Sequence, residues 1–289
     1  METGQPSRTA LRVAMRRAAH QLIDRPPVLD DPIAVRLVGS LLTRDMERAQ
    51  HKVARDFRAF MAVRSRFVED QLAAAVARGV TQYVVLGAGL DTFAWRNPFP
   101  GLRVFEVDFP ATQAWKRALL QEANLDQPEQ LTFVPLDFEH LRLAEGLAQA
   151  RFDMGRAAFF GWLGVVPYLT LEAFRATIRD IAGMASQSGV GLDYGLSPKV
   201  LGPLHRLALE RLSARVAAAG EPFRLLFTPG ELEDELRTAG FARIAQWNSK
   251  SLNELYFNGR LDGLKLPEPG LGMLATAWVG AEQCEDTGC

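Results

Sequence analysis

From residue 80 onward, short apolar runs that read as strands alternate with segments of helical periodicity, and this limits the fold more than any other feature. The strand-like runs are 82–86, 102–107, 131–135, 157–162, 189–194, 242–247 and 272–279. Helical spacing occupies 111–122, 170–185 and 229–239. Near-continuous apolar strands separated by helices call for a parallel sheet covered on both faces. Thr228-Pro229-Gly230-Glu231 spells a capping box with proline in the first turn, and Gly240 ends that helix. Residues 1–78 are helix-like throughout, with Asp31-Pro32 opening one segment and Gly39 closing it. A long inserted helix is expected over 198–219, opened by Ser197-Pro198. The last two strands are separated by a weak helical pattern and fit an antiparallel pair. The expected organisation is a helical N-terminal cap over 1–78, a main domain over 79–282 with an insertion at 197–220, and a tail at 283–289.

Composition narrows the class. A net charge of -1 on 289 residues gives no general pull toward nucleic acid. No apolar run approaches the roughly 18 residues of a membrane span. Cys284 and Cys289 sit in the polar tail, too few for a disulfide framework or a four-ligand zinc site, and they fit a reducing, cytoplasmic setting. His20, His51, His140 and His205 are scattered without H-x-x-x-H spacing, so no catalytic metal is expected. The arginine-rich first 25 residues place Leu11, Met15, Ala18 and Leu22 on one helical stripe, with the arginines opposite. That pattern reads as a structural amphipathic helix rather than a transit peptide.

The chemistry gathers at successive strand ends. Gly87-Ala88-Gly89 follows the first strand, where an open parallel sheet binds ligands, although a bare tight turn has the same look. The next strand ends in Glu106-Val107-Asp108, about 20 residues on, where an acid accepts hydrogen bonds from ribose hydroxyls; helix capping is its structural alternative. The third ends in Asp137-Phe138, an acceptor for an adenine amino group beside an apolar wall. Thr92 stands where a dinucleotide fingerprint needs its third glycine, and Asp91 would repel a pyrophosphate. An acidic turn suits S-adenosylmethionine, which carries a sulfonium and no phosphate. Its carboxylate requires a guanidinium. Arg64 falls mid-stripe among Phe57, Phe60, Met61, Phe67, Val68 and Leu72, while Arg66 points away. Arg64 therefore either binds that carboxylate or pairs with a core acid.

The stretch "RSRFVEDQL…GVTQYVVLGAGLDTFAWR…LRVFEVDFPATQAWK" resembles the leucine carboxyl methyltransferase-like family. The resemblance runs from "RAAHQLIDRPPVLDDP" to "LGMLATAWV", and the family includes bacterial O-methyltransferases acting on polyketides and other small molecules of secondary metabolism. It implies an α/β fold: a doubly wound, mostly parallel seven-stranded sheet, Rossmann-like, with the last strand antiparallel. It also implies cofactor contacts at Arg64, Gly87, Asp108, Asp137 and Phe138, and the turn adds Ala88 and Gly89. Members that methylate protein phosphatases carry a Glu after the fourth strand. Leu163 stands there instead, which alters that edge of the site and weakens the case for a phosphatase substrate.

Methyl transfer from a sulfonium is an in-line displacement, so the protein chiefly aligns the reactants and excludes water. A carboxylate acceptor needs no base; a phenol or alcohol benefits from one. Tyr168, Tyr194 and His205 are the candidates for base or positioner, with His20 behind them. For both tyrosines a wall-forming role is the alternative. Val165-Val166-Pro167-Tyr168 lacks the polar residue that often precedes Pro-Pro-Tyr in amino-methylating enzymes. Leu201, Leu204, Leu207 and Leu212 of the insertion, with the N-terminal helices, are the expected acceptor walls. The leading expectation is O-methylation of a small, fairly apolar metabolite at a carboxylate or phenolic hydroxyl. Alternatives are a carboxyl methyltransferase of a peptide or protein C-terminus, a non-catalytic binding domain, and, last, an NAD oxidoreductase.

Overall fold

The computed structural model describes residues 8–39, 52–138, 140–218 and 220–280. His51, Cys284, Cys289 and the expected tail lie outside them. Among the described residues, three helices precede the sheet: α1 (Arg8–Ile23), α2 (Pro32–Val38) and α3 (Lys52–Ala77). α2 starts as its sequence dictates, with the Asp31 side chain accepting the Ala34 amide at 3.1 Å and Pro32 in the first turn.

α1 packs Leu11, Met15 and Ala18 of the expected stripe against the core, but Leu22 is 42% exposed, and Ala14, Arg17, Ala19 and His20 are buried as well. Arg17 turns inward because acids from distant segments meet it there. His20 is no base: its Nε2 accepts the Val28 amide at 2.8 Å, so Nδ1 carries the proton toward Asp24 Oδ2 at 2.7 Å. Asp24 also accepts from Arg58 Nε and Nη2 at 2.7 and 2.9 Å. The ring is a core strut between α1 and the chain that follows it.

Seven strands form one sheet: β1 (Gln82–Leu86), β2 (Arg103–Asp108), β3 (Leu131–Pro135), β4 (Ala158–Trp162), β5 (Gly189–Gly195), β6 (Phe241–Trp247) and β7 (Gly272–Val279). Their order is β3-β2-β1-β4-β5-β7-β6, with β7 antiparallel to both neighbours and the remaining pairs parallel. The order reverses between β1 and β4, so a cleft opens at the carboxyl ends of those strands. Successive residues of β1 serve opposite cores. Tyr83 and Val85 pack with α1–α3, while Val84 and Leu86 join Phe105, Phe160 and Trp162 on the other face.

The crossover helices are α4 (Pro110–Glu122), α5 (Leu143–Gln149) and α6 (Leu171–Ala182). The insertion is not one helix. A single 3₁₀ turn (Pro198–Val200) precedes α7 (Pro203–Ala217), and the break falls at Gly202-Pro203. Proline lacks an amide and bars its predecessor from helical geometry. Only Leu209 and Val216 of α7 are buried, and Leu204 is 80% exposed. α8 (Pro229–Ala239) carries the full Thr228/Glu231 capping box and ends on left-handed Gly240 at φ +111°. The last connection holds α9 (Ser249–Tyr256), which the sequence pattern hid because only Ser249 and Leu252 are buried in it.

Candidate active site

The cleft contains a cavity of about 490 Å³, a size suited to a small-molecule ligand. Its floor is the β1 turn. Gly87 and Gly89 adopt φ +63° and +50°, open mainly to glycine. A Cβ on Gly87 would sit 2.2 Å from Val165 Cγ2, so the β1 and β4 turns touch only because that side chain is missing.

The turn spends its amides on itself. Gly87 and Ala88 N–H donate to the Val107 carbonyl at 2.7 and 3.1 Å, and Gly89 N–H donates to Asp108 Oδ2 at 2.5 Å. No α-helix follows, since Phe93–Trp95 is a single 3₁₀ turn. A pyrophosphate site needs a helix N-terminus at this place, and none follows this turn.

The charge of the turn corrects the sequence reading. Asp91 Oδ2 accepts from Arg17 Nη1 at 2.8 Å, and Arg17 Nη2 donates to the Leu90 carbonyl at 2.6 Å. Burial works to raise the Asp91 carboxyl, but Arg17, Arg96, Lys116 and the Phe93 amide outweigh it and hold it below its ordinary value. The turn is therefore acidic but neutralised, and its repulsion of phosphate is not what selects the ligand. Thr92 is fully buried and donates to Asp31 Oδ1 at 2.6 Å. "LGAGLDT" thus divides: Gly87 and Gly89 shape the cavity, and Asp91 with Thr92 clasp α1 and α2.

Asp108 lines the cavity at the end of β2, its oxygens accepting the Gly89 and Phe109 amides. Burial raises this carboxyl, and the two amides hold it back. Beneath it, Glu106 pairs with fully buried Lys116 at 2.5 Å, yet burial pushes the Glu106 carboxyl up to about 7. Asp137 and Phe138 line the adjoining wall, with Asp137 Oδ2 2.8 Å from His140 Nδ1. Leu163 lines the edge at β4. Arg64 reaches the same cavity from α3 and donates from Nη1 to Asp193 Oδ2 at 2.8 Å. Arg64 is therefore ion-paired with a buried acid, the second of its sequence alternatives, and it also lines the cavity.

Of the three catalytic candidates, only Tyr168 lines the cavity. Burial, followed by the nearby Glu221 carboxylate, pushes its hydroxyl up to about 12. Tyr194 is core: its hydroxyl lies 2.5 Å from Gln246 Oε1, and it is 2% exposed. Alternation along β5 turns it away from the cleft. His205 is carried off by α7, whose inner contacts are Leu209 and Val216, and it lines no part of the cavity. α7 likewise lines no part of this cavity. The roof comes instead from Thr9, Val13 and Arg17 of α1 and from Glu221, Pro222 and Arg224 beyond α7. Arg224 and Leu225 amides donate to the Pro167 carbonyl at 2.7 and 3.2 Å, strapping that segment to the Tyr168 turn, and Thr9 Oγ1 donates to Glu221. The sequence pointed to the N-terminal helices as a wall but held no sign of the 221–224 segment, because each contact joins segments far apart in the chain.

Comparison with known proteins agrees with this geometry. The family model for leucine carboxyl methyltransferase matches residues 10–182. The chain belongs to that family. A Bacillus subtilis (strain 168) protein, YktD, whose name assigns it provisionally to the S-adenosyl-L-methionine-dependent methyltransferases, is 31% identical over 291 residues, covering 91% of this chain and 95% of its own. A similarly named protein of Mycolicibacterium paratuberculosis is 35% identical over 184 residues, 57% of each chain. Among solved structures, a provisionally assigned methyltransferase of Thermobifida fusca shares the fold with a TM-score of 0.59 at 16% identity, covering 97% of both chains. The protein is an S-adenosylmethionine-dependent methyltransferase. The donor set fits that cofactor: a buried carboxylate at the β2 end, a guanidinium across the cleft, and no phosphate cradle.

Among the described residues, no helix is long and apolar enough to cross a membrane, and no cluster of potential metal ligands occurs.

Proposed function

We propose that the enzyme methylates an oxygen of a small, fairly apolar metabolite, at a carboxylate or a phenolic hydroxyl. The observation that carries this reading is the cleft cavity of about 490 Å³, roofed by α1 and walled by Val13, Leu163, Val165 and Pro222. Cofactor and acceptor must share it, which leaves room for a small partner and supplies mostly apolar contacts.

In this reading Gly87, Ala88 and Gly89 let backbone approach the cofactor closely. Asp108 accepts from the ribose hydroxyls, Asp137 with Phe138 holds the adenine, Leu163 walls the β4 edge, and Arg64 binds the methionyl carboxylate. Bound S-adenosylmethionine supplies an electrophilic methyl group. The protein's task is then alignment and exclusion of water. Tyr168 keeps its proton near neutrality, as any tyrosine does, and burial pushes its hydroxyl further up, to about 12. It acts as a hydrogen-bond donor that orients the acceptor oxygen and not as a base. A cytoplasmic setting and a role in secondary metabolism accord with this acceptor class.

The test pairs calorimetry with product analysis. The enzyme should bind S-adenosylmethionine and S-adenosylhomocysteine, and methylate members of a panel of apolar phenols and carboxylic acids, read by mass spectrometry. Binding neither cofactor form would leave only a fold-retaining binding domain. Methylation of peptide C-termini with no small acid or phenol accepted would favour the peptide-directed alternative.

A further inference from the structure

Arg64 is held in an unusual setting. It stands mid-stripe on α3, is 6% exposed, and its Nε has no hydrogen-bond partner. One group fixes the guanidinium: Asp193 near the carboxyl end of β5, 5% exposed, whose Oδ2 accepts from Nη1 at 2.8 Å. The other oxygen, Oδ1, accepts the Gly164 amide at 2.5 Å, tying the same carboxylate to the β4 turn. Gly164 lies at φ +73°, and a Cβ there would fall 2.9 Å from Arg64 Nη2 and 3.1 Å from Nη1. Arg64 and Gly164 line the cavity, whereas Asp193 stands behind them.

We propose that Asp193 is a positioning residue: it and the missing side chain of Gly164 fix the Arg64 guanidinium where the amino-acid end of the cofactor binds. The long arginine side chain is flexible, and anchoring one edge leaves the rest of its donor fork preset for a carboxylate. Asp193 thereby joins three elements at one point: α3 through Arg64, the β4 turn through Gly164, and β5 itself. The inference rests on the assignment of Arg64 to the methionyl carboxylate.

Calorimetry with two ligands tests it. S-Adenosylhomocysteine carries the amino-acid group, and 5′-methylthioadenosine shares its adenosine and thioether but lacks that group. Asp193→Asn keeps size but loses one of the two acceptor contacts. Removing an acid makes the surroundings of Arg64 more positive, which by charge alone would tighten carboxylate binding. A loss of affinity therefore reports on position. Gly164→Ala displaces the same guanidinium with no change of charge.

Both variants should bind S-adenosylhomocysteine about tenfold more weakly or worse, with 5′-methylthioadenosine changed by less than about twofold. In an Arg64→Met background, Asp193→Asn should add no further loss on S-adenosylhomocysteine, because it acts through the arginine. Unchanged S-adenosylhomocysteine affinity in both variants would overturn the proposal, and so would equal losses on the two ligands, which would mean a merely structural role. A wild-type enzyme that binds 5′-methylthioadenosine as tightly as S-adenosylhomocysteine would remove the Arg64 assignment itself. Wild type binding neither ligand would sink the cofactor reading, so the three failures are distinguishable.

Discussion

The floor and the roof of the cavity are built on different principles. The floor is a set of strand ends: Gly87 follows β1, Asp108 ends β2 and Asp137 lies just beyond β3, so their relative positions come with the parallel sheet. The roof is assembled from afar. Arg17 meets Asp91 across 74 positions, and Thr9 meets Glu221 across 212. Floor residues are displayed by local backbone geometry, and roof residues are held by a charge pair and hydrogen bonds between distant segments. The two halves should therefore fail differently: the floor by losing ligand, the roof by losing stability.

Arg17→Ala should show the largest effect. It leaves the partly buried Asp91 carboxylate without its closest cation and should cost about 3 kcal/mol of unfolding free energy, measured by chemical denaturation. The pH dependence has a definite sign. Asp91 is held below its ordinary value when folded, so its contribution is present above the unfolded pKa and is lost as pH falls through the folded one. Acid destabilisation of wild type should be shallower in Asp91→Asn. A stability unchanged by Arg17→Ala would mean that the clasp does not hold the roof.

Asp108→Ala should do the opposite, leaving the fold largely intact while S-adenosylhomocysteine affinity falls about a hundredfold. Because burial raises this carboxyl, wild-type affinity should begin to fall on acidification above the pH at which an ordinary aspartate protonates. Affinity that stays flat well below pH 4 would contradict that role.

Gly87→Ala touches both halves of the comparison, since the new Cβ meets Val165 Cγ2 at a positive φ. About 1–3 kcal/mol of destabilisation is expected, partly restored by adding Val165→Ala. Thermal melts of the single and double variants decide whether contact or backbone strain dominates. The smallest effect belongs to the exposed face of α7. Leu204→Ser with Leu207→Ser should change stability by less than about 0.5 kcal/mol and leave turnover unchanged; a loss of turnover would return α7 to the acceptor wall.

How legible each part was follows from the range of its determinants. The strands were readable because buried parallel strands are apolar on both faces, and α8 because its capping box and closing glycine lie within a dozen residues. α9 was not, since its two buried positions leave no stripe. The insertion was read as one helix because its composition is helical on both sides of Gly202-Pro203, and the proline decided otherwise. Arg64 was found because a charge in mid-stripe is a local anomaly. Arg17 showed no such anomaly, so its inward turn was invisible. Tyr194 and His205 were placed by proximity to strand ends and leucines, while their orientation depended on β5 pleating and on which side of α7 packs.

The sequence by itself determined the strands and the three strand ends on the cavity floor, because period, caps and turn glycines act over a few residues. It also contained the family resemblance that the comparisons bear out. Tertiary structure decided the charge of the β1 turn, the partner of Arg64 and the composition of the roof. Those depend on which distant side chains a buried charge finds when the chain closes on itself, and the cost of leaving such a charge unpaired settles the choice.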